Sequence, residues 1–202
     1  MRKYFQIFIL SLLISTAALG QSEIRLTLDP QSCLKINGST NISKFTLTLP
    51  GRLFPGSDYR FLPVISGNSI SIGENRLSLC TNNFKSDNQL ALNGFRKLVR
   101  ADEYPYLKIE LIKISLSPDY TEKKIKGLIK GDALINITIT DVTKQYSLPF
   151  SASLFNNYLS ADGKLKLTIK DFGLIPPVEM FGLVKTNEWL EIDLKISALL
   201  IK

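Results

Sequence analysis

Histidine is absent from all 202 residues. That removes the imidazole base on which Ser-His-Asp and Cys-His sites depend, and the common nitrogen ligands of zinc, haem and non-haem iron. Cysteine is nearly absent as well, with Cys33 and Cys80 the whole supply. Two cysteines without histidine make a poor metal set, since zinc sites usually draw four ligands from those two types. Neither a metal nor a cofactor is expected. No G-x-x-x-x-G-K-[ST], G-x-G-x-x-G or nucleophile elbow occurs either. Carboxylates remain, but Asp87, Asp102, Glu103 and Asp162 lie in turns or between charged neighbours, where solvated surface is the default. The chain is expected to bind rather than to catalyse.

One string argues otherwise. Asp171-Phe172-Gly173 is the triplet that carries the magnesium-binding aspartate in protein kinases. A working kinase also needs a glycine-rich loop, a strand lysine and an H-R-D loop upstream. H-R-D cannot exist without histidine, so the triplet is read as a loop.

The first twenty residues, MRKYFQIFILSLLISTAALG, have Arg2 and Lys3 in front, an apolar run from Phe5 to about Leu13, and a small-x-small ending at Ala18-Leu19-Gly20. This is the pattern of a secretory signal peptide cut before Gln21. The run is short for a membrane span of about 20 residues, so an uncleaved anchor is the lesser alternative. Residues 21–202 are then a single domain of 182 residues, with no second run able to span a bilayer. The expected place is the periplasm, with the extracellular space as the alternative. Export permits a Cys33–Cys80 disulfide, which the sequence leaves open. Net charge is +7, or +5 once Arg2 and Lys3 are removed. The lysines alternate with apolar residues, as in EKKIKGLIKGD and GKLKLTIKD, which is the wet face of a strand and no nucleic-acid patch.

Period-two alternation dominates what is present. Phe45, Leu47 and Leu49 share one face of KFTLTLPG; Tyr146, Leu148, Phe150, Ala152 and Leu154 share one face of QYSLPFSASL. The same holds for Leu165, Leu167 and Ile169, and for Leu190, Ile192, Leu194 and Ile196. Such alternation predicts strands with one buried and one wet face, hence an antiparallel sheet. Further strands are predicted at 23–28, 32–37, 70–72, 76–80, 106–116 and 123–140. In YLKIELIKISL the apolar set changes face between Leu111 and Ile112, which predicts a β-bulge. The 123–140 stretch is expected to span two faces or to bend near Gly127 and Gly131. SDNQLALNGFRKLVRADEYP breaks the rhythm: Asp87 or Asn88 offers a cap, and Leu92, Phe95, Leu98 and Val99 recur at helical spacing before Pro105. Eight or more antiparallel strands and one short helix make an all-β barrel or sandwich.

Four pieces, in order, resemble the YceI-like proteins, also called the polyisoprenoid-binding lipocalin-like domain. They are LKINGSTNISKFTLTLPG, NGFRKLVRADEYPYLKIEL, GDALINITITDVTKQYSLPF and DFGLIPPVEMFGLVKTNEWLEIDL. Two departures stand out. Family members commonly carry a histidine shortly after the G-[ST]-[ST]-N motif, where Ser43 lies here, and SDYRFLPVISGNSISIGENRLSLC matches the family pattern poorly. The resemblance implies an extended lipocalin-like, eight-stranded antiparallel β-barrel, exported by a bacterium, whose tunnel holds a polyisoprenoid or similar long-chain amphiphilic lipid for carriage or storage in the envelope. With a bacterial source, the N-x-[ST] sites at Asn37, Asn41 and Asn136 are chance composition.

If the barrel is hollow, its wall falls to the inward sets: Phe45 and Leu47, Ile135 and Ile137, Leu148 and Phe150, Leu167 and Ile169, Ile192 and Leu194. Phe172 is expected to continue the Leu165–Leu167–Ile169 set after a one-residue bulge, with Met180 and Phe181 capping one end. Arg96, Lys97 and Arg100 are candidates to meet a phosphate head group. The competing expectation is a core packed solid by the same residues, in a structural or stress-related envelope protein with no lipid ligand. A homodimer is compatible with the sequence.

Overall fold

The alternating segments do form strands. The computed structural model describes residues 23–55, 58–73, 75–117, 128–179 and 183–201. The barrel wall is built from β2 (Cys33–Ser39), β3 (Lys44–Pro50), β7 (Leu77–Cys80), β8 (Tyr106–Leu116), β9 (Ile129–Ile139), β10 (Val142–Phe155), β11 (Tyr158–Thr168) and β14 (Trp189–Ile201). Their hydrogen-bonded order is β3-β2-β14-β11-β10-β9-β8-β7, antiparallel throughout. This is the lipocalin-like arrangement of eight strands. No ladder joins β3 to β7; that seam carries one bridge, in which Thr48 and Lys85 exchange backbone bonds of 2.8 and 2.9 Å. The sheet therefore wraps without closing.

Two wall strands outrun their neighbours. The first half of β14 pairs with β2, and its last residues pair with β1 (Ile24–Leu28), which in turn pairs with β4 (Asp58–Phe61). Likewise β8 pairs first with β7 and then with β6 (Ser69–Ile72), which makes a hairpin with β5 (Pro63–Ser66). Each change of partner leaves peptide groups that need hydrogen bonds. At the β1–β2 break the Ser32 hydroxyl donates to the Ser197 carbonyl and accepts from its N–H, both at 2.9 Å. At the β6–β7 break the Asn75 amide donates to the Leu111 carbonyl at 2.6 Å and accepts from its N–H at 2.9 Å. In both places a side chain does the work of a missing strand residue.

The register of β8 against β9 shifts between Leu111 and Lys113, so Ile112 is the extra residue where the face change predicts a bulge. Beyond it Ile114 faces Ala133, and before it Leu111 faces Ile135, which keeps apolar groups inside. Gly131 does not bend the chain. It lies within the β9 ladder opposite Phe150, where a Cβ would strike the Ser115 carbonyl and sit 3.1 Å from the Phe150 ring. Gly163 pairs with Phe150 from the other side and is covered by the Leu148 side chain, 3.2 Å from where a Cβ would stand. Gly127 lies outside the described residues.

Cys33 and Cys80 are free thiols. Their inward neighbours Leu34 and Leu79 are buried, so both cysteines take the outer phase, on strands separated by β3 and the seam. The permitted disulfide is not formed. Among the described residues no helix is long and apolar enough to cross a membrane.

The glycine contacts set a stability prediction. Gly131→Ala is expected to destabilise the fold by about 1–3 kcal/mol, the usual cost of overpacking. Gly73→Ala, with nothing within 4 Å of the added carbon, is expected to change little. Urea unfolding midpoints of the two variants check the difference.

Candidate ligand-binding cavity

The strand order puts four connections at one end of the barrel: the 40–43 hairpin, the 81–105 segment, the 140–141 turn and the 169–188 segment. Two of them are long, and a helix, α1 (Gln89–Leu98), lies in the first. Asn88 caps it, its side-chain oxygen accepting from the Ala91 N–H at 3.0 Å. Such a cap contributes about 1 kcal/mol. Leu92, Phe95 and Val99 are buried with the barrel core, and Phe95 packs against Phe84 with ring centroids 5.2 Å apart. The helix thus covers the open end of the sheet.

It does not fill that end. A second stripe on α1 (Leu90, Ala91, Gly94 and Leu98) faces a cavity of about 130 Å³. Ile36 and Phe45 line it from the sheet, and Pro177, Val184 and Thr186 from the 169–188 segment. That segment is held in place by a two-residue ladder between β12 (Val178–Glu179) and β13 (Val184–Lys185). Asn41 ties the hairpin to it: its side chain donates to the Leu183 carbonyl and accepts from the Lys185 N–H, both at 2.9 Å. Deeper in the barrel a second void of about 60 Å³ is lined entirely by apolar residues, Leu34, Leu79, Leu107 and Ile139 among them. Ile36, Phe95, Leu98, Ile169 and Leu190 border both spaces. The two voids are neighbours walled by these five residues, and the outer one opens between α1, the hairpin and Pro177, Val184 and Thr186.

The expected wall residues divide. Phe45, Leu47 and Ile169 line the outer chamber; Ile137, Leu167, Ile169 and Ile192 line the inner one. Ile135, Leu148, Phe150 and Leu194 line neither void; Ile135 and Leu148 belong to the buried core, with Phe150 and Leu194 packed against it. Met180 and Phe181 lie outside the described residues. Arg96, Lys97 and Arg100 do not reach the mouth: none lines either chamber. Arg96 donates to the Asn82 carbonyl at 3.3 Å, and Arg100 pairs with Glu103 at 2.6 Å and lies over the Tyr104 ring. Of this stripe only Leu98 belongs to the helical set predicted from the sequence; Leu90, Ala91 and Gly94 join it at spacings of one, three and four residues, a signal readable in the sequence.

Asp171-Phe172-Gly173 is a corner. Residues Ile169–Phe172 make a single 3-10 turn, opened by Thr168, whose hydroxyl accepts from the Lys170 N–H, and closed by Gly173 at φ 69. The expected bulge is therefore a turn, because three residues per turn carry Ile169 and Phe172 to the same side. Both are 2 % exposed. Phe172 packs beside Tyr146, whose hydroxyl donates to the exposed Asp171 carboxylate at 2.8 Å. Burial first, and then this bond, push the Tyr146 phenol well above its ordinary value of 10.0.

No protein-family model and no curated protein matches the chain. Solved structures do. The BcnA protein of Burkholderia cenocepacia superposes with a TM-score of 0.57 at 10% identity, over 87% of this chain and 99% of that one. A polyisoprenoid binding domain from Saccharophagus degradans, implicated in plant cell wall breakdown, gives 0.54 at 10% identity, over 86% and 97%. A YceI protein of Campylobacter jejuni gives 0.45 at 14% identity, over 72% and 83%. The class is thus an extended lipocalin-like barrel. More particularly, the chain shares its fold with the BcnA protein and with the polyisoprenoid binding domain.

Two outcomes check the corner. Phe172→Ala is expected to cost about 3–5 kcal/mol of stability, as for a buried phenylalanine, while Asp171→Asn costs under about 1 kcal/mol; thermal unfolding separates them. A phenol whose folded value is raised contributes stability that is whole below pH 10.0 and lost as pH climbs through the raised value. Tyrosinate absorbance should therefore show a late-titrating phenol that is missing in Tyr146→Phe and moves toward the ordinary range in Asp171→Asn.

Proposed function

We propose that this chain is an exported YceI-like carrier, without enzymatic activity, that takes the apolar chain of an isoprenoid or fatty-acyl lipid into the channel beneath α1. The observation that carries the reading is the pair of contiguous apolar voids opening at one barrel end. The polyisoprenoid binding named for the Saccharophagus degradans domain supports it by likeness of fold. Removal of an alkyl chain from water drives binding, at about 0.8 kcal/mol per buried CH₂.

The outer chamber is close to the size of an engineered cavity of about 150 Å³ that binds benzene. As it stands, the channel admits on the order of ten carbons by that comparison. A longer chain enters only if α1 or the 174–187 segment gives way. The N-terminal segment, outside the described residues, supports export and a periplasmic or extracellular place, with cleavage before Gln21 leaving one barrel domain. Carriage or storage of the lipid in the envelope follows from that location.

The rival reading, a structural or stress-related envelope protein with no ligand, draws on the dense core around Leu47, Leu49 and Phe172, all 2 % exposed or less. Native mass spectrometry of protein purified without detergent separates the two. The carrier is expected to retain an extractable lipid, and Ala91→Trp, which fills the outer chamber from α1, is expected to abolish retention while leaving the far-ultraviolet spectrum unchanged. Protein that is recovered empty and takes up neither added polyprenyl nor added fatty-acyl lipid sinks the carrier reading.

A further inference from the structure

We infer that the ligand of this channel carries an uncharged head group, such as a hydroxyl or carbonyl, and that the mouth discriminates against phosphate. The inference rests on the carrier reading and concerns the chemistry of the same mouth.

The polar groups that line the outer chamber are Thr40, Ser43, Asn88 and Thr186, all neutral, and no charged residue lines either chamber among the described residues. Three of the four are spoken for in part, the Ser43 hydroxyl by a bond of 3.3 Å with that of Thr40. The Thr40 hydroxyl accepts from the Ser43 N–H at 3.0 Å and holds the hairpin, and Asn88 spends its oxygen on the helix cap. The Asn88 amide nitrogen and the Thr186 hydroxyl make no hydrogen bond to another described residue. They are a donor and a donor–acceptor, which is what a hydroxyl or a carbonyl oxygen requires.

The nearby cations are turned elsewhere. Lys44 and Lys185 alternate with the lining residues Phe45, Val184 and Thr186 and are exposed on the other phase of their strands. Lys170 pairs with Glu188, and Arg100 with Glu103. A phosphate seated over this mouth would lose hydration with no cation to replace it, which is the costly case for a buried charge. A hydroxyl loses far less and regains it from Asn88 and Thr186.

The test compares geraniol with geranyl monophosphate, the same ten-carbon chain with two heads, by calorimetry on the mature chain at neutral pH. The alcohol is expected to bind at least about tenfold more tightly. Ser43→Lys, which places a cation at the rim of the chamber, is expected to tighten the monophosphate several-fold and to narrow or reverse the preference for the alcohol. Equal or tighter binding of the monophosphate by the natural chain overturns the inference while the carrier reading stands. So does a Ser43→Lys variant whose monophosphate affinity is unchanged, since the head would then lie elsewhere. Failure of both ligands, with no lipid co-purifying, overturns the carrier reading and this inference with it.

Discussion

On one side β8 and β14 are paired along nearly their whole length, by β9 and β11, but on the other edge neither strand has a single neighbour long enough to supply partners. Buried N–H and C=O groups left unpaired cost free energy comparable to a lost hydrogen bond. The fold answers by giving each long strand two partners in succession and patching the joint with a side chain, Ser32 on Ser197 and Asn75 on Leu111. These patches let the barrel extend past the height of an eight-stranded wall. They also place β1 and β4 on one flank and β5 and β6 on the other, away from the mouth.

The mouth follows from where the long connections fall. Two-residue turns join β9 to β10 and β10 to β11, but the 81–105 and 169–188 segments are long and both cross the same end. One contributes a helix whose buried stripe continues the core; the other contributes the corner at Ile169–Phe172 and the short β12–β13 ladder. Because β3 and β7 meet at a single bridge, this end depends on side-chain packing more than on a backbone ladder. Small residues on the cavity side of α1, Ala91 and Gly94, leave volume there. Glycine inside a helix costs about 0.5–1 kcal/mol relative to alanine, so the space is maintained at some expense of helix stability.

Much of the wall was legible. The alternation in KFTLTLPG and KLKLTIKDF places Leu47, Leu165 and Leu167 inside, and the face change at Leu111 marks the bulge that β8 needs. Asn88 reads as a cap for local reasons, since its oxygen serves an N–H three residues on. The strands β4 and β5 escaped notice because Pro63 and a four-residue length blur their alternation. Phe172 was placed inside, but by a bulge instead of a 3-10 turn; both devices shift phase by one residue, and only the hydrogen bonds tell them apart. Arg96, Lys97 and Arg100 read as an anion site because they are close in sequence at a helix end. The helix stops at Leu98 and Arg100 lies beyond it at φ 50, and the partners of Arg96 and Arg100, the Asn82 carbonyl and Glu103, are decided by the fold.

The sequence by itself determined the chemistry available: no histidine, no nucleophile elbow, and alternating strands that must bury one face against one another. Those are properties of residue type and spacing, which are local. Only the tertiary structure decided which inward residues touch empty space and which are packed solid, because a void is a property of facing surfaces several strands apart. It also decided the sign of the mouth. Thr40, Asn88 and Thr186 come from three connections far apart in the chain, and no local pattern relates them; the strand order brings them to one rim and turns the lysines away.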